Sequence, residues 1–187
     1  LENKILEQKI IDKIINPTLK GLKEMQTNFK GFLYAGLMIV DNEPFLIEYN
    51  VRMGDPECQT ILPKLKSDFL EIIIASINQS LNSINIEWHH EKSLCIVLCS
   101  KGYPEKYENN FQIKNLENIK LNENDFIFHA GTKLDNSKIV SNGGRVLNFV
   151  VKSQSFKDCR IRALNLIEKI NWDNGYYRKD IGFKVID

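Results

Sequence analysis

The sequence of 187 residues has no long apolar run and almost no net charge. A helix needs about 20 consecutive apolar residues to cross a bilayer, whereas the longest apolar stretch, residues 31–40, is shorter and contains glycine. Lys and Arg total 25 against 24 for Asp and Glu, so no general electrostatic attraction draws the chain to nucleic acid or to anionic lipid. The sequence therefore predicts neither a membrane nor a nucleic-acid partner.

The four cysteines form no C-x-x-C pair, which argues against a zinc site. Cys95 and Cys99 lie in one apolar run, where a free thiol behaves as a small hydrophobe. This cysteine usage is typical of a reducing compartment, and we expect a cytoplasmic protein. The sequence opens at Leu1 with charged residues and has no apolar leader, so we expect that it is entered partway along a longer polypeptide.

Hydrophobic periodicity predicts helices in the first half of the chain, and two apolar runs separated by turn residues predict a hairpin there. The predicted elements are a helix over residues 3–15 that Pro17 interrupts, a resumed helix over 18–25, strands over 32–40 and 45–50 joined by a turn over 41–44, and a helix from an N-cap at Ser67 to about residue 79. The inward face of this last helix is predicted to carry Leu70, Ile73, Ile74 and Ile77.

The second half is predicted to contain short strands and one long helix, after a polar linker over residues 81–92. The predicted strands cover residues 94–100, 125–130, 138–140 and 145–151, and the helix covers about 155–170 with Ser155 as its cap. We therefore expect an α+β protein with two domains, residues 1–90 and 91–187. The second domain is expected to be small, mixed and β-barrel-like with one long helix.

The stretch from Glu48 to Glu57 carries the most specific chemistry. Residues two apart on a strand face the same side, so Glu48, Asn50 and Arg52 would project together if the strand runs that far. A carboxylate and an amide carbonyl are hard oxygen donors that suit Mg²⁺, and an adjacent arginine can stabilise charge on a transferring phosphoryl group. The competing interpretation is an exposed strand pair followed by an ordinary Gly-Asp-Pro turn, and spacing alone leaves both open.

Several further motifs, in the same order along nearly the whole chain, resemble the glycinamide ribonucleotide synthetase (phosphoribosylamine–glycine ligase) family of ATP-grasp enzymes. The resemblance is carried by residues 31–38, 48–57 with Gln59, 62–68, 102–104, 128–132, 142–147 and 177–182. It extends over the C-terminal part of the family's enzyme only. It implies that the first domain is the C-terminal portion of the ATP-grasp domain and that the second is the family's C-terminal domain.

The resemblance also implies a reaction and its residues. ATP would phosphorylate glycine, and the amine of 5-phosphoribosylamine would attack the glycyl phosphate to give glycinamide ribonucleotide, ADP and phosphate. By this resemblance Glu48 and Asn50 are the ligands of Mg²⁺ (or Mn²⁺), and Arg52 is catalytic. Substrate contacts are expected from Asp55, Glu57 and Arg145. By the resemblance, the N-terminal part of the enzyme, which holds most of the nucleotide, would lie before Leu1. Residues 1–187 alone are therefore expected to be inactive.

Two other functions stay open at the level of sequence. One is another ATP-grasp carboxylate ligase of the biotin-carboxylase-like kind, and the other is a non-catalytic binding or assembly module. Three local features also allow two interpretations. Gly143-Gly144 is either a phosphate cradle or a tight turn, His129 is either catalytic or a hydrogen-bonded structural residue, and the residues 178–180 either reach substrate or form a salt bridge.

Overall fold

A computed structural model describes residues 3–27 and 29–186. The chain divides into two compact units, which are here called unit 1 (residues up to Gly54 and Ser67–Ile86) and unit 2 (Asp55–Lys66 and Glu87 onward). Both units combine helices with antiparallel strands, so the α+β prediction is confirmed. No helix in the described residues is long and apolar enough to span a membrane.

Unit 1 begins with a continuous helical segment. Helix α1 (Lys4–Ile10) leads through a π-helical stretch (Ile11–Ile15) into helix α2 (Asn16–Glu24). The predicted interruption at Pro17 is therefore wrong. Proline lacks an N–H group, but it lies in the first turn of α2, and the backbone N–H of Asn16 reaches the carbonyl oxygen of Ile11 in a π-type hydrogen bond.

Strands β1 (Tyr34–Val40) and β2 (Glu43–Asn50) form an antiparallel hairpin, as predicted. The turn is shorter than expected and consists of Asp41 and Asn42, which have φ values of 50° and 58°. Aspartate and asparagine tolerate this left-handed conformation, and such two-residue turns match the twist of a hairpin. The register shifts after Gly36, which pairs with Glu48, while Leu37 pairs with Leu46.

Helix α4 (Phe69–Ile77) follows helix α3 (Glu57–Ile61), which belongs to unit 2. The N-cap of α4 is Asp68 and not Ser67, because a carboxylate oxygen of Asp68 accepts the backbone N–H groups of the first turn at 2.7 and 3.1 Å. The predicted inward face is also wrong for three of its residues. Leu70, Ile74 and Ile77 are 65%, 48% and 57% exposed, because α4 is apolar on nearly all sides and periodicity does not single out the buried one.

Unit 2 is built on an open four-stranded antiparallel sheet in the order β4–β7–β3–β8. Its strands and the additional β5–β6 hairpin are β3 (Lys92–Ser100), β4 (Asp125–His129), β5 (Thr132–Asp135), β6 (Lys138–Ser141), β7 (Arg145–Ser153) and β8 (Gly175–Tyr176). Sequence periodicity did not predict β5 or β8. Part of the predicted polar linker is ordered by pairing, since Leu65 bridges to Trp88.

Helix α5 (Phe156–Ile167) packs against β3 and β7 and closes the core of unit 2. Ser155 caps it, as predicted, by accepting the backbone N–H of Asp158 at 3.1 Å. Alternate residues of β3 and β7, together with Val146, meet buried residues of α5 in one core, and β7 is buried on both faces. These are Leu94, Ile96, Leu98, Leu147, Phe149 and Val151 from the strands and Cys159, Ala163, Leu166 and Ile167 from the helix. The intervening residues of β3 face the other side, where α3 packs.

Candidate functional site

The side chains of Glu48 and Asn50 meet on one face of β2. The Nδ2 group of Asn50 donates a hydrogen bond to Oε1 of Glu48 at 3.0 Å. Both residues belong to β2, of which Asn50 is the last residue, so the alternation of side chains places them on the same side. Glu48 is exposed and Asn50 is half-buried. The two oxygen-bearing side chains thus share one accessible location.

Glycine at position 36 leaves room for this pair. Gly36 lies opposite Glu48 in the hairpin, and a Cβ atom built on it would stand 3.0 Å from Cγ of Glu48. The register shift beside this pair leaves Ile47 as an extra residue on β2, and bulges of this kind re-aim neighbouring side chains. The absence of a side chain at position 36 and the bulge together open the space that Glu48 occupies.

Arg52 lies beyond the strand. β2 ends at Asn50, and Arg52 occupies a bend in which its Nη1 group donates to the carbonyl oxygen of Met53 at 3.1 Å. The condition for all three side chains to project together, a strand that continues to Arg52, is therefore not met. Arg52 presents an exposed guanidinium from a loop, two residues after Asn50 and four after Glu48.

The oxygen pair fits a magnesium ion better than a softer metal. Carboxylate and amide oxygens are hard ligands, and Mg²⁺ keeps several waters and takes further ligands from phosphate groups. In the part of the chain that the structure describes, no group of three or more His, Cys, Asp or Glu residues could hold a metal ion. A cation at Glu48 and Asn50 would therefore need phosphate or water oxygens to complete its coordination.

The other predicted site residues belong to unit 2, and two of them form an ion pair. Nη1 of Arg145 lies 3.2 Å from Oδ2 of Asp55 and also donates to the Asp55 backbone carbonyl. Nε of Arg145 donates to the hydroxyl of Tyr103 at 2.9 Å, and this bond is the main cause of the raised pKa of Arg145. Gln59 donates through Nε2 to the other carboxylate oxygen of Asp55 at 2.9 Å. Sequence reasoning assigned no role to Tyr103 or to Gln59.

Arg145 and Tyr103 line a cavity of about 400 Å³ in unit 2. Its walls are mostly apolar or aromatic, and they also include Pro56, Cys95, Val97, Cys99, Pro104, Tyr176, Tyr177, Arg178 and Ile181. Burial, followed by the negative charges of Asp55 and Glu57, raises the pKa of Cys95 to about 12. Burial also raises the pKa of Cys99. Both thiols are therefore protonated at neutral pH and are poor nucleophiles.

Glu57 lies at the start of a helix, and Arg178 and Asp180 pair with each other. Glu57 opens helix α3 and is half-buried there. Arg178 forms a two-bond ion pair with Asp180, and its Nε and Nη2 groups lie 3.0 and 2.6 Å from the carboxylate oxygens. Of the two interpretations of residues 178–180, this contact corresponds to the salt bridge. Arg178 nevertheless lines the same cavity as Arg145.

The remaining candidates have structural contacts. Nδ1 of His129 lies 2.8 Å from the Thr132 hydroxyl. Gly143 and Gly144 do not form a hairpin turn, because β6 and β7 belong to different sheets. The Gly143 carbonyl accepts the Ser100 hydroxyl at 2.7 Å, and a Cβ atom on Gly144 would lie 2.1 Å from the Tyr103 ring. These glycines allow close packing between backbone and side chain.

Comparison with known proteins gives a consistent relationship. Residues 2–58 match the family model "Phosphoribosylglycinamide synthetase, ATP-grasp (A) domain", and residues 93–184 match "Phosphoribosylglycinamide synthetase, C domain". A phosphoribosylamine–glycine ligase of Fusobacterium nucleatum is 45% identical over 180 residues, which are 96% of this chain and 42% of the relative. A chloroplastic phosphoribosylamine–glycine ligase of Arabidopsis thaliana is 39% identical over 187 residues, 98% of this chain and 35% of the relative.

The fold agrees with these sequence matches. The crystal structure of a phosphoribosylamine–glycine ligase from Thermotoga maritima superposes with a TM-score of 0.78 at 31% identity, over 97% of this chain and 44% of that protein. The chain thus spans about two-fifths of the length of the relatives it matches. These matches confirm the resemblance carried by the motifs. The chain belongs to the phosphoribosylglycinamide synthetase family, with residues 2–58 in the region of its ATP-grasp (A) domain and residues 93–184 in the region of its C domain.

Proposed function

We propose that this chain contributes the metal-binding strand and part of the substrate site of a phosphoribosylamine–glycine ligase. The reaction joins glycine to 5-phosphoribosylamine at the expense of ATP and gives glycinamide ribonucleotide, ADP and phosphate. The observation that carries the proposal is the contact between Glu48 and Asn50 on one face of β2, within the region that matches an ATP-grasp domain.

The chemistry explains why such a pair is needed. A free carboxylate is a poor acyl donor, so phosphorylation of glycine installs a leaving group that the amine can displace. The protein contributes positioning and neutralisation of charge on the transferred phosphoryl group. A bound Mg²⁺ or Mn²⁺ ion supplies part of that positive charge, and we assign Glu48 and Asn50 as the residues that would hold it.

Arg52 is proposed as the catalytic cation. Its guanidinium is exposed, and the hydrogen bond to the adjacent Met53 carbonyl engages one of its five N–H donors. The remaining donors could reach phosphoryl oxygens, where a fixed positive charge is effective. Arg145 and Glu57 are proposed to contact substrate directly, and Asp55, expected from the sequence to do the same, is proposed to act through Arg145. For Asp55 the ion pair with Arg145 supports an indirect role, since both of its carboxylate oxygens already accept hydrogen bonds or ion pairs from the protein.

The proposed partners are the two substrates and the rest of the enzyme. The relatives are more than twice as long as this chain, so the polypeptide that holds most of the nucleotide is proposed to come from outside these residues. Here "full-length enzyme" means a polypeptide of the relatives' length that contains this chain. We propose a cytoplasmic location, which the four free thiols favour.

The test measures ADP release by the full-length enzyme with and without glycine and 5-phosphoribosylamine. We expect release that depends on glycine and that yields glycinamide ribonucleotide when the amine is present. Release that depends on bicarbonate instead of glycine would identify a biotin-carboxylase-like ligase. An enzyme that releases no ADP under any of these conditions would be a binding or assembly protein, and the proposal would be wrong.

A further inference from the structure

We propose that Tyr103 is a positioning residue that fixes the guanidinium of Arg145 for binding an anionic group of a substrate. The inference rests on the proposed function, in which Arg145 contacts substrate. It adds a residue, Tyr103, for which the sequence motifs predicted no role. The structural basis lies entirely within unit 2, since Tyr103, Arg145 and Asp55 all belong to it.

The guanidinium of Arg145 is held at two different nitrogens. Its Nε group donates to the Tyr103 hydroxyl at 2.9 Å, and its Nη1 group lies 3.2 Å from Oδ2 of Asp55. Two anchors on a planar, rigid group fix both its position and the direction of its plane. The Nη2 group makes no hydrogen bond with the described residues, and the side chain lines the cavity of about 400 Å³. That edge is therefore available to a ligand.

Tyr103 is itself held firmly, which makes it an effective anchor. Its ring lies over Gly144 so closely that a Cβ atom there would be 2.1 Å from the ring. The backbone N–H of Tyr103 donates to the Ser100 carbonyl at 3.1 Å, and the Ser100 N–H donates to the Gly144 carbonyl at 2.7 Å. The backbone of Tyr103 is thus tied to the end of β3, and its ring lies against Gly144, the residue before β7. A second ring, Tyr107, packs at 6.1 Å between centroids.

The opposite anchor is equally restrained. Gln59 in α3 donates to the carboxylate of Asp55, so this carboxylate cannot turn away from Arg145 without losing a hydrogen bond. The hydroxyl oxygen of Tyr103 accepts the hydrogen bond from Arg145, so the hydroxyl hydrogen of Tyr103 points away from the guanidinium. A guanidinium held between two restrained partners loses little side-chain entropy when an anion binds, which lowers the cost of binding.

The kinetic test uses Tyr103→Phe in the full-length enzyme. This change removes one oxygen atom and keeps the ring over Gly144. Glycine carries an anionic carboxylate and 5-phosphoribosylamine an anionic phosphate. We expect KM for the one of these two substrates that Arg145 binds to rise about tenfold, while kcat changes less than about twofold. Arg145→Lys should raise KM for the same substrate. Tyr107→Phe is the matched control, because it removes a neighbouring phenol oxygen that does not contact Arg145, and it should leave KM unchanged.

Coupling between the two residues separates positioning from a purely structural role. We expect the double variant Tyr103→Phe/Arg145→Ala to be no worse than Arg145→Ala, since the hydroxyl acts only through the guanidinium. Additive kinetic effects, or a lower melting temperature of Tyr103→Phe with unchanged KM, would overturn the proposal. If the wild-type enzyme shows no glycine-dependent ADP release, the proposed function is wrong. The positioning of Arg145 by Tyr103 is then tested by hydrogen exchange, which does not depend on activity.

Hydrogen exchange at Arg145 tests the contact without any turnover. In the 187-residue chain the Nε–H signal of Arg145 should exchange with solvent more slowly than that of an exposed arginine such as Arg52. We expect Tyr103→Phe to accelerate this exchange at least about tenfold and Tyr107→Phe to leave it unchanged. Equal exchange rates in wild type and Tyr103→Phe would refute the positioning role, whatever the activity of the full-length enzyme.

Discussion

The carboxylate of Glu48 accepts a hydrogen bond from the side-chain amide of Asn50, with 3.0 Å between Oε1 and Nδ2. This bond keeps two oxygen-bearing side chains together at the end of a hairpin strand. This bond does not use the second carboxylate oxygen of Glu48 or the amide oxygen of Asn50, which are the atoms proposed to bind the metal ion. The pair is the structural feature on which the metal-dependent part of the proposed function depends.

Replacing Glu48 tests the metal assignment directly. Glu48→Gln keeps the size of the side chain and removes its charge, so the full-length enzyme should lose at least about 100-fold in magnesium-dependent ADP release, or about 2.7 kcal/mol of transition-state stabilisation. Glu24→Gln makes the same chemical change on an exposed helical residue and serves as the control. Near wild-type turnover of Glu48→Gln in magnesium would show that Glu48 is not a metal ligand.

Gly36→Ala should weaken metal binding without unfolding the hairpin. The new Cβ would stand 3.0 Å from Cγ of Glu48 and would push this flexible side chain from its rotamer. Such a displacement costs about 0.5–1.5 kcal/mol, which corresponds to an about two- to thirteenfold higher magnesium concentration for half-maximal activity.

The control for this variant is Gly21→Ala in α2, where a Cβ atom meets nothing within 4 Å. It should leave the magnesium dependence unchanged and stabilise the helix by about 0.5–1 kcal/mol. If both variants have the wild-type magnesium dependence, the space beside Glu48 does not matter for the metal.

Glu43 should make the stability of unit 1 sensitive to acid. Hydrogen bonds from Lys13, at 2.5 Å, and from Lys9 lower the pKa of Glu43 from its ordinary value of 4.5 to about 2. A folded-state pKa below the unfolded one means that this stabilisation is present above about pH 4.5 and is lost as the pH falls towards 2. Melting temperatures measured across this range should therefore fall less steeply for Glu43→Gln than for wild type.

Lys13→Gln should flatten the same part of the pH profile, because it removes the main cause of the lowered pKa. Parallel profiles for wild type and Glu43→Gln would contradict the prediction. The expected difference in melting temperature is small. The side chains of Glu43 and Lys13 are 40% and 56% exposed, and solvent therefore screens their interaction.

Asp125→Asn should destabilise unit 2. Asp125 is 5% exposed, pairs with Arg162, and accepts the backbone and side-chain N–H groups of Asn122 at 3.1 and 2.8 Å. Neutralising it leaves Arg162 with the longer Asp158 contact of 3.4 Å, at an expected cost of about 1–3 kcal/mol. Urea denaturation measures this cost, with the exposed Asp135→Asn as control. Identical midpoints would show that the ion pair contributes nothing.

The 187 residues alone should neither bind ATP tightly nor turn over. They span about two-fifths of the length of the relatives, and the proposed metal pair offers two ligands only. Calorimetric titration of the chain with ATP and magnesium should give no binding in the micromolar range, and the full-length enzyme serves as the positive control. Micromolar binding by the chain itself would place the nucleotide site within these residues.

Local sequence determined much of the secondary structure. Two apolar runs separated by turn residues predicted the hairpin, and the alternation of side chains along a strand placed Glu48 and Asn50 on one face. Ser155 identified the start of α5. These features depend on residues a few positions apart, where backbone geometry fixes which side chains are neighbours. Pro17 misled the prediction because a π-helical stretch accommodated it.

Only the tertiary structure decided which distant residues meet. Tyr103 and Asp55 contact Arg145 from 42 and 90 positions away in the sequence. The pairing of β3 with β7 brings Tyr103 to Arg145, and the packing of α3 on these strands brings Asp55 there. The tertiary structure also decided which side of α4 is buried, because apolar residues on several sides of this helix made several buried faces possible. The sequence by itself determined periodicity, caps and the oxygen pair, whereas packing between distant segments set the surroundings of Arg145, because such packing has no counterpart in local residue spacing.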